Sequence, residues 1–88
     1  MKNKIIELLQ SSLAKLEISG VDIYVETPKN NDNGDFSSNI AMQLTRVLKK
    51  NPRVIAEEII SNIPEDESIE KIEIAGPGFI NFYVKKSS

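Results

Sequence analysis

Gly76-Pro77-Gly78 separates two stretches in which side chains alternate in character. Ile72 and Ile74 alternate with Lys71 and Glu73 before it, and the run Phe79 to Val84 follows it. A period of two places successive side chains on opposite faces of a strand. A short glycine-rich connection leaves room only for a tight reversal, so the two strands pair as an antiparallel hairpin. An isolated hairpin is marginal in water and needs further strands or a helical layer on one face.

The preceding residues supply both. Ile5, Leu9, Leu13 and Leu16 form one stripe over residues 2 to about 17, which predicts a helix that stops before Gly20. Val21, Ile23 and Val25 alternate with Asp22, Tyr24 and Glu26, the pattern of a half-buried strand ended by Pro28. Residues 29–34 read as a turn-rich loop, and Asp35 to Ser38 as a short, weak strand. Helical spacing returns from about Asn39, with Ile40, Ala41, Leu44, Val47 and Leu48 on one face. Asn51 and Pro52 suit the N-cap and first position of another helix, which carries Val54, Ile55, Ile59, Ile60 and Ile63 inward. The order is α-β-β-α-α-β-β. The expected fold is a small α+β two-layer sandwich, an antiparallel sheet of three to four strands covered by about three helices.

At 88 residues the chain has room for a single domain, spanning 1–88, with a thin core. Its last strand ends only a few residues before Ser88, as in a domain cut from a longer chain. Eleven basic residues stand against 13 acidic ones, a net charge of −2, which excludes nucleic-acid binding by bulk electrostatics but not at a local site. The chain has no histidine and no cysteine. That removes Ser-His triads, imidazole and thiolate metal ligands, disulfides and thiol nucleophiles. The loop from Asn31 to Asp35 lacks the downstream glutamate of a calcium-binding loop, with Ser38 in its place. Gly76-x-Gly78 opens no helix and so makes no phosphate cradle. The amphipathic N-terminal segment, interrupted by Glu7 and Gln10, has no signal-peptide core, so the expected location is cytoplasmic. The expected domain is non-catalytic, without a cofactor or metal of its own.

In the last strand, Ile80, Phe82 and Val84 point one way and Phe79, Asn81 and Tyr83 the other. If the aliphatic set faces the helices, Phe79 offers a stacking surface and Asn81 a donor and acceptor, the two things that hold an unpaired RNA base. The same pattern fits core aromatics with Asn81 at a sheet margin. Arg46, Lys49, Lys50 and Arg53 cluster between two helices, as phosphate contacts or as a solvated helix end.

Three stretches together resemble the N-terminal additional domain of bacterial-type arginyl-tRNA synthetase. They are Gly34-Asp35-Phe36-Ser37-Ser38-Asn39-Ile40-Ala41-Met42-Gln43-Leu44, Asn51-Pro52-Arg53-Val54-Ile55-Ala56-Glu57-Glu58-Ile59 and Ile72-Glu73-Ile74-Ala75-Gly76-Pro77-Gly78-Phe79-Ile80-Asn81-Phe82. The resemblance implies an accessory domain of a class I arginine–tRNA ligase, a cytoplasmic enzyme that joins arginine to tRNA(Arg) with ATP and magnesium. It implies contact with the D-loop at the outer corner of the tRNA through Phe79 and Asn81. It also implies catalytic and anticodon-binding domains in the same chain, since the H-I-G-H-like and K-M-S-K-S-like signatures are absent here. An interaction module that packs on its own polypeptide without touching RNA is the alternative, and a large apolar patch would favour it.

Overall fold

The computed structural model describes residues 1–29 and 34–85. Residues 30–33, within the predicted loop, and residues 86–88 lie outside the described set. Among the described residues the elements run α1 (Lys2–Lys15), β1 (Val25–Glu26), β2 (Phe36–Ser38), α2 (Ile40–Gln43), α3 (Thr45–Leu48), α4 (Pro52–Ser61), β3 (Ile69–Ala75) and β4 (Phe79–Val84). The strands form one antiparallel sheet in the order β1-β2-β4-β3. This is the expected α+β sandwich, with one predicted helix divided into two short ones. Helices α1, α2 and α4 cover one face, where Ile5, Leu9, Ile40, Ile55, Ile59, Ile80 and Phe82 are fully enclosed.

α1 ends in a Schellman motif. The Ile18 amide donates to the Leu13 carbonyl and the Glu17 amide to that of Ala14, with Glu17 in the left-handed region at φ 60°. The reversal therefore falls three residues before Gly20, on a residue that must accept left-handed strain. Ile18 packs back on the core as the motif's apolar partner.

Only Val25 and Glu26 of the predicted first strand pair with a neighbour. Val21, Ile23 and Val25 still face inward, but the ladder is cut short beside β2. Ser38 Oγ donates to the Tyr24 carbonyl at 2.7 Å and accepts from the Ile40 amide at 3.2 Å, turning the chain into α2. The single helix predicted from Asn39 breaks at Leu44, where Thr45 Oγ1 takes the Met42 carbonyl at 2.9 Å. The break re-phases α3, so Val47 is 68% exposed and not on the inward face. Val54 is likewise exposed, because α4 turns Ile55, Ala56 and Ile59 inward. α4 starts as the sequence predicts: Asn51 is extended, its side chain accepts from the Arg53 amide at 2.9 Å, and Pro52 follows.

β2 lies inside the sheet despite its weak pattern, because the chain before it is clamped to β4. The Asp35 amide donates to the Phe82 carbonyl at 2.8 Å, and Asp35 Oδ2 accepts from the Val84 amide at 2.9 Å. A Cβ on Gly34, at φ +86°, would stand 2.9 Å from the same carbonyl, so the approach needs glycine.

At the other end of the molecule, Lys4 Nζ meets Asp66 Oδ2 at 2.9 Å and ties α1 to the loop before β3. Asp66 also accepts from the Ser68 hydroxyl and, at 2.8 Å, from the Ser68 amide. Hydrogen bonds from the Ser68 hydroxyl, then from Lys4 and the Ser68 amide, hold the Asp66 carboxyl down at about 2 against an ordinary 3.8. The folded state thus favours the carboxylate. Its contribution is complete above the ordinary value and fades as pH falls toward about 2. Asp66→Asn should therefore melt below the parent chain at neutral pH, and the gap should close in strong acid. Thermal melts at both ends of that window are the check, and an unchanged gap would remove Asp66 from the acid response.

Candidate nucleic-acid interface

The face of the sheet away from the helices carries Phe79, Asn81 and Tyr83, as alternation along β4 requires. Register adds what alternation along one strand cannot. Ser37 lies opposite Asn81 on one side and Glu73 on the other, while Glu26 lies opposite Ser37. Asn81 is therefore flanked by strands on both sides and is only 4% exposed. It is enclosed at the sheet surface, not projecting into solvent. Ser37 Oγ donates to Asn81 Oδ1 at 2.8 Å, which fixes the amide plane. Asn81 Nδ2 has no hydrogen-bond partner among the described residues.

Phe79 is half-buried and forms one wall of a concavity of ≈ 290 Å³, with Asn81, Ser37, Ala75 and Glu26 around it. The turn beneath the ring is held from α4. Arg53 Nη1 donates to the Gly76 carbonyl at 2.9 Å. A Cβ on Gly78, at φ +153°, would come within 2.8 Å of Pro52 Cβ, so the turn sits directly on the start of the helix. Tyr83, third in the row, carries Lys71 Nζ 4.5 Å from its ring centroid.

The four basic residues do not gather round this groove. Arg53 is anchored at the turn that carries Phe79, and Lys50 pairs with Glu58 at 2.9 Å. Arg46 lines a different groove, beside Tyr24 and Val47, and Lys49 is an exposed left-handed residue closing α3. Sequence reasoning missed Ser37 as the partner of Asn81 and Glu26 as the next polar side chain across the sheet. Their one signal is polarity at strand positions, and pairing across 44 residues is not written in any local pattern. Among the described residues no group of three acidic side chains is placed to hold a metal ion. No helix among them is long and apolar enough to cross a membrane.

The family model described as the arginyl-tRNA synthetase N-terminal domain matches residues 3–84. The chain belongs to that family. It is 51% identical over 92 aligned positions to an arginine–tRNA ligase 2 of Bacillus thuringiensis subsp. konkukian, covering 99% of this chain and 16% of the relative. An arginine–tRNA ligase of Shewanella piezotolerans is 46% identical over 96% of this chain and, again, 16% of its own length. This arginyl-tRNA synthetase N-terminal domain thus spans about one-sixth of the curated relatives it matches. The crystal structure of arginyl-tRNA synthetase from Plasmodium falciparum superimposes with a TM-score of 0.83 at 29% identity, over 96% of this chain and 16% of that one. The Thermus thermophilus enzyme shares the fold at a TM-score of 0.82 and 22% identity, over 97% of this chain and 14% of its own.

Proposed function

We propose that this domain is the tRNA-binding accessory unit of an arginyl-tRNA synthetase and that the groove beside Phe79 takes an unpaired D-loop base from the outer corner of tRNA(Arg). The observation that supports this reading is the pairing of a half-buried ring with an oriented amide whose Nδ2 has no partner among the described residues. A base stacks on the ring and presents its edge to the amide. Arg53 positions the turn beneath the ring, and Arg46 and Lys49, away from the groove at α3, are exposed to meet phosphates elsewhere on the tRNA. Ligation of arginine with ATP and magnesium belongs to the remainder of the synthetase, together with its catalytic and anticodon-binding domains.

Removing the domain from the full-length synthetase should weaken tRNA(Arg) binding with a shallow change in salt dependence. Each phosphate contact adds roughly 0.7–0.9 to the slope of log affinity against log salt, and two or three contacts are expected of so acidic a domain. Titrations of both proteins across a salt series measure this. A slope difference of about six would reveal a basic surface unaccounted for by Arg46 and Lys49. Unchanged tRNA affinity would favour the second reading, packing against another part of the same chain, which the exposed Tyr24 and Val47 support.

A further inference from the structure

The groove beside Phe79 contains an acid and no lysine or arginine among its described lining residues. Glu26 enters it from β1 through the row Glu26–Ser37–Asn81, one polar side chain on each of three adjacent strands. Two strand spacings separate the Glu26 and Asn81 backbones by roughly 10 Å, a gap that the glutamate side chain narrows toward the width of a base edge. Glu26 has no ion pair or hydrogen bond to any described residue, so its carboxylate is available to a ligand. Ser37 spends its hydroxyl proton on Asn81 Oδ1. The groove therefore offers a donor at Asn81 Nδ2 and an acceptor at Glu26, beside one aromatic wall.

We propose that Glu26 is a specificity-determining residue, its carboxylate selecting a base that bears an exocyclic amino group and turning uracil away. The inference rests on the RNA reading above. An ionised carboxylate only accepts hydrogen bonds. Cytosine presents an amino group beside a ring-nitrogen acceptor, adenine does the same, and guanine sets two donors beside a carbonyl. Each can meet Glu26 and Asn81 together. Uracil flanks its single imino donor with carbonyl oxygens on both sides, so a carboxylate placed there faces at least one oxygen.

The test uses full-length synthetase and tRNA(Arg) transcripts in which each unpaired D-loop position in turn is cytosine or uracil. At one position the parent enzyme should prefer cytosine by about three- to tenfold, the range of one ordinary net hydrogen bond at a partly exposed site. Glu26→Ala should bring that preference within about twofold. Glu26→Gln, which keeps size and removes charge, should bind the uracil transcript more tightly than the parent does, with an unchanged melting temperature. An undiminished preference in Glu26→Ala overturns the inference. So do equal affinities for the two transcripts in the parent, and if Phe79→Ala still weakens both, the RNA reading survives alone. If Phe79→Ala leaves affinity unchanged as well, the RNA reading itself has failed.

Discussion

Phe82→Ala is expected to lower the stability of the 88-residue chain by about 3–5 kcal/mol. The ring is wholly enclosed beneath the helices. It stands on the central strand, opposite Phe36 on β2 and Ile72 on β3, so neighbours on both sides line the cavity that truncation would open. Those neighbours cannot close in easily. The Phe82 backbone is pinned by the Asp35 amide and by Gly34 lying against its carbonyl. Stability of roughly 0.05–0.15 kcal/mol per residue gives a chain of this length about 4–13 kcal/mol in all, so the loss is a large share. Urea denaturation of both proteins is the measurement. A drop below about 1 kcal/mol would mean that the core repacks around the gap as few cores do.

Phe79→Ala should do the reverse. Its ring is half-buried on the helix-free face, and the turn beneath it is held independently by Arg53 and by the Gly78–Pro52 contact. Truncation should therefore leave the melting temperature close to that of the parent. Stacking of one base on an aromatic side chain is on the order of 1–3 kcal/mol, so tRNA(Arg) binding by the synthetase should weaken about tenfold or more. The two variants differ by three positions on one strand and by face. A Phe79→Ala enzyme that melts far below the parent, yet binds tRNA equally well in its folded fraction, would assign the ring to the core and end the base-stacking reading.

What the sequence makes legible is what local chemistry decides. Asn51 and Pro52 start α4 because capping and a preset φ act within three residues. The Gly76–Gly78 turn and the alternation after it put Phe79 and Asn81 on a shared face for the same reason. Breaks set by competition were not legible: the Thr45 hydroxyl donates to the Met42 carbonyl of the preceding helix, and Glu17 reverses the chain before Gly20 is reached. The sheet order was hidden for a different reason. A three-residue strand with one large apolar side chain reads only as short and weak, yet the Gly34-Asp35 clamp carries it to the middle of the sheet. That placement is why Asn81 is enclosed and oriented, and why Glu26 and Ser37 join it.

The position of β4 also bears on how the domain comes into being on the ribosome. The strand that pairs with both β2 and β3 is the last of the four described strands in chain order. Until Phe79–Val84 has cleared the exit tunnel, β2 has no partner on that side and the apolar faces of α1, α2 and α4 have no completed sheet to cover. Non-local pairing of this kind is slow to form and exposes apolar surface while it waits. Translation of the segment that follows in a longer polypeptide would then set the moment of closure. A nascent chain halted before Phe79 should remain open to proteolysis along its whole length, whereas one extended past Val84 by the length of the tunnel should become resistant in a single step.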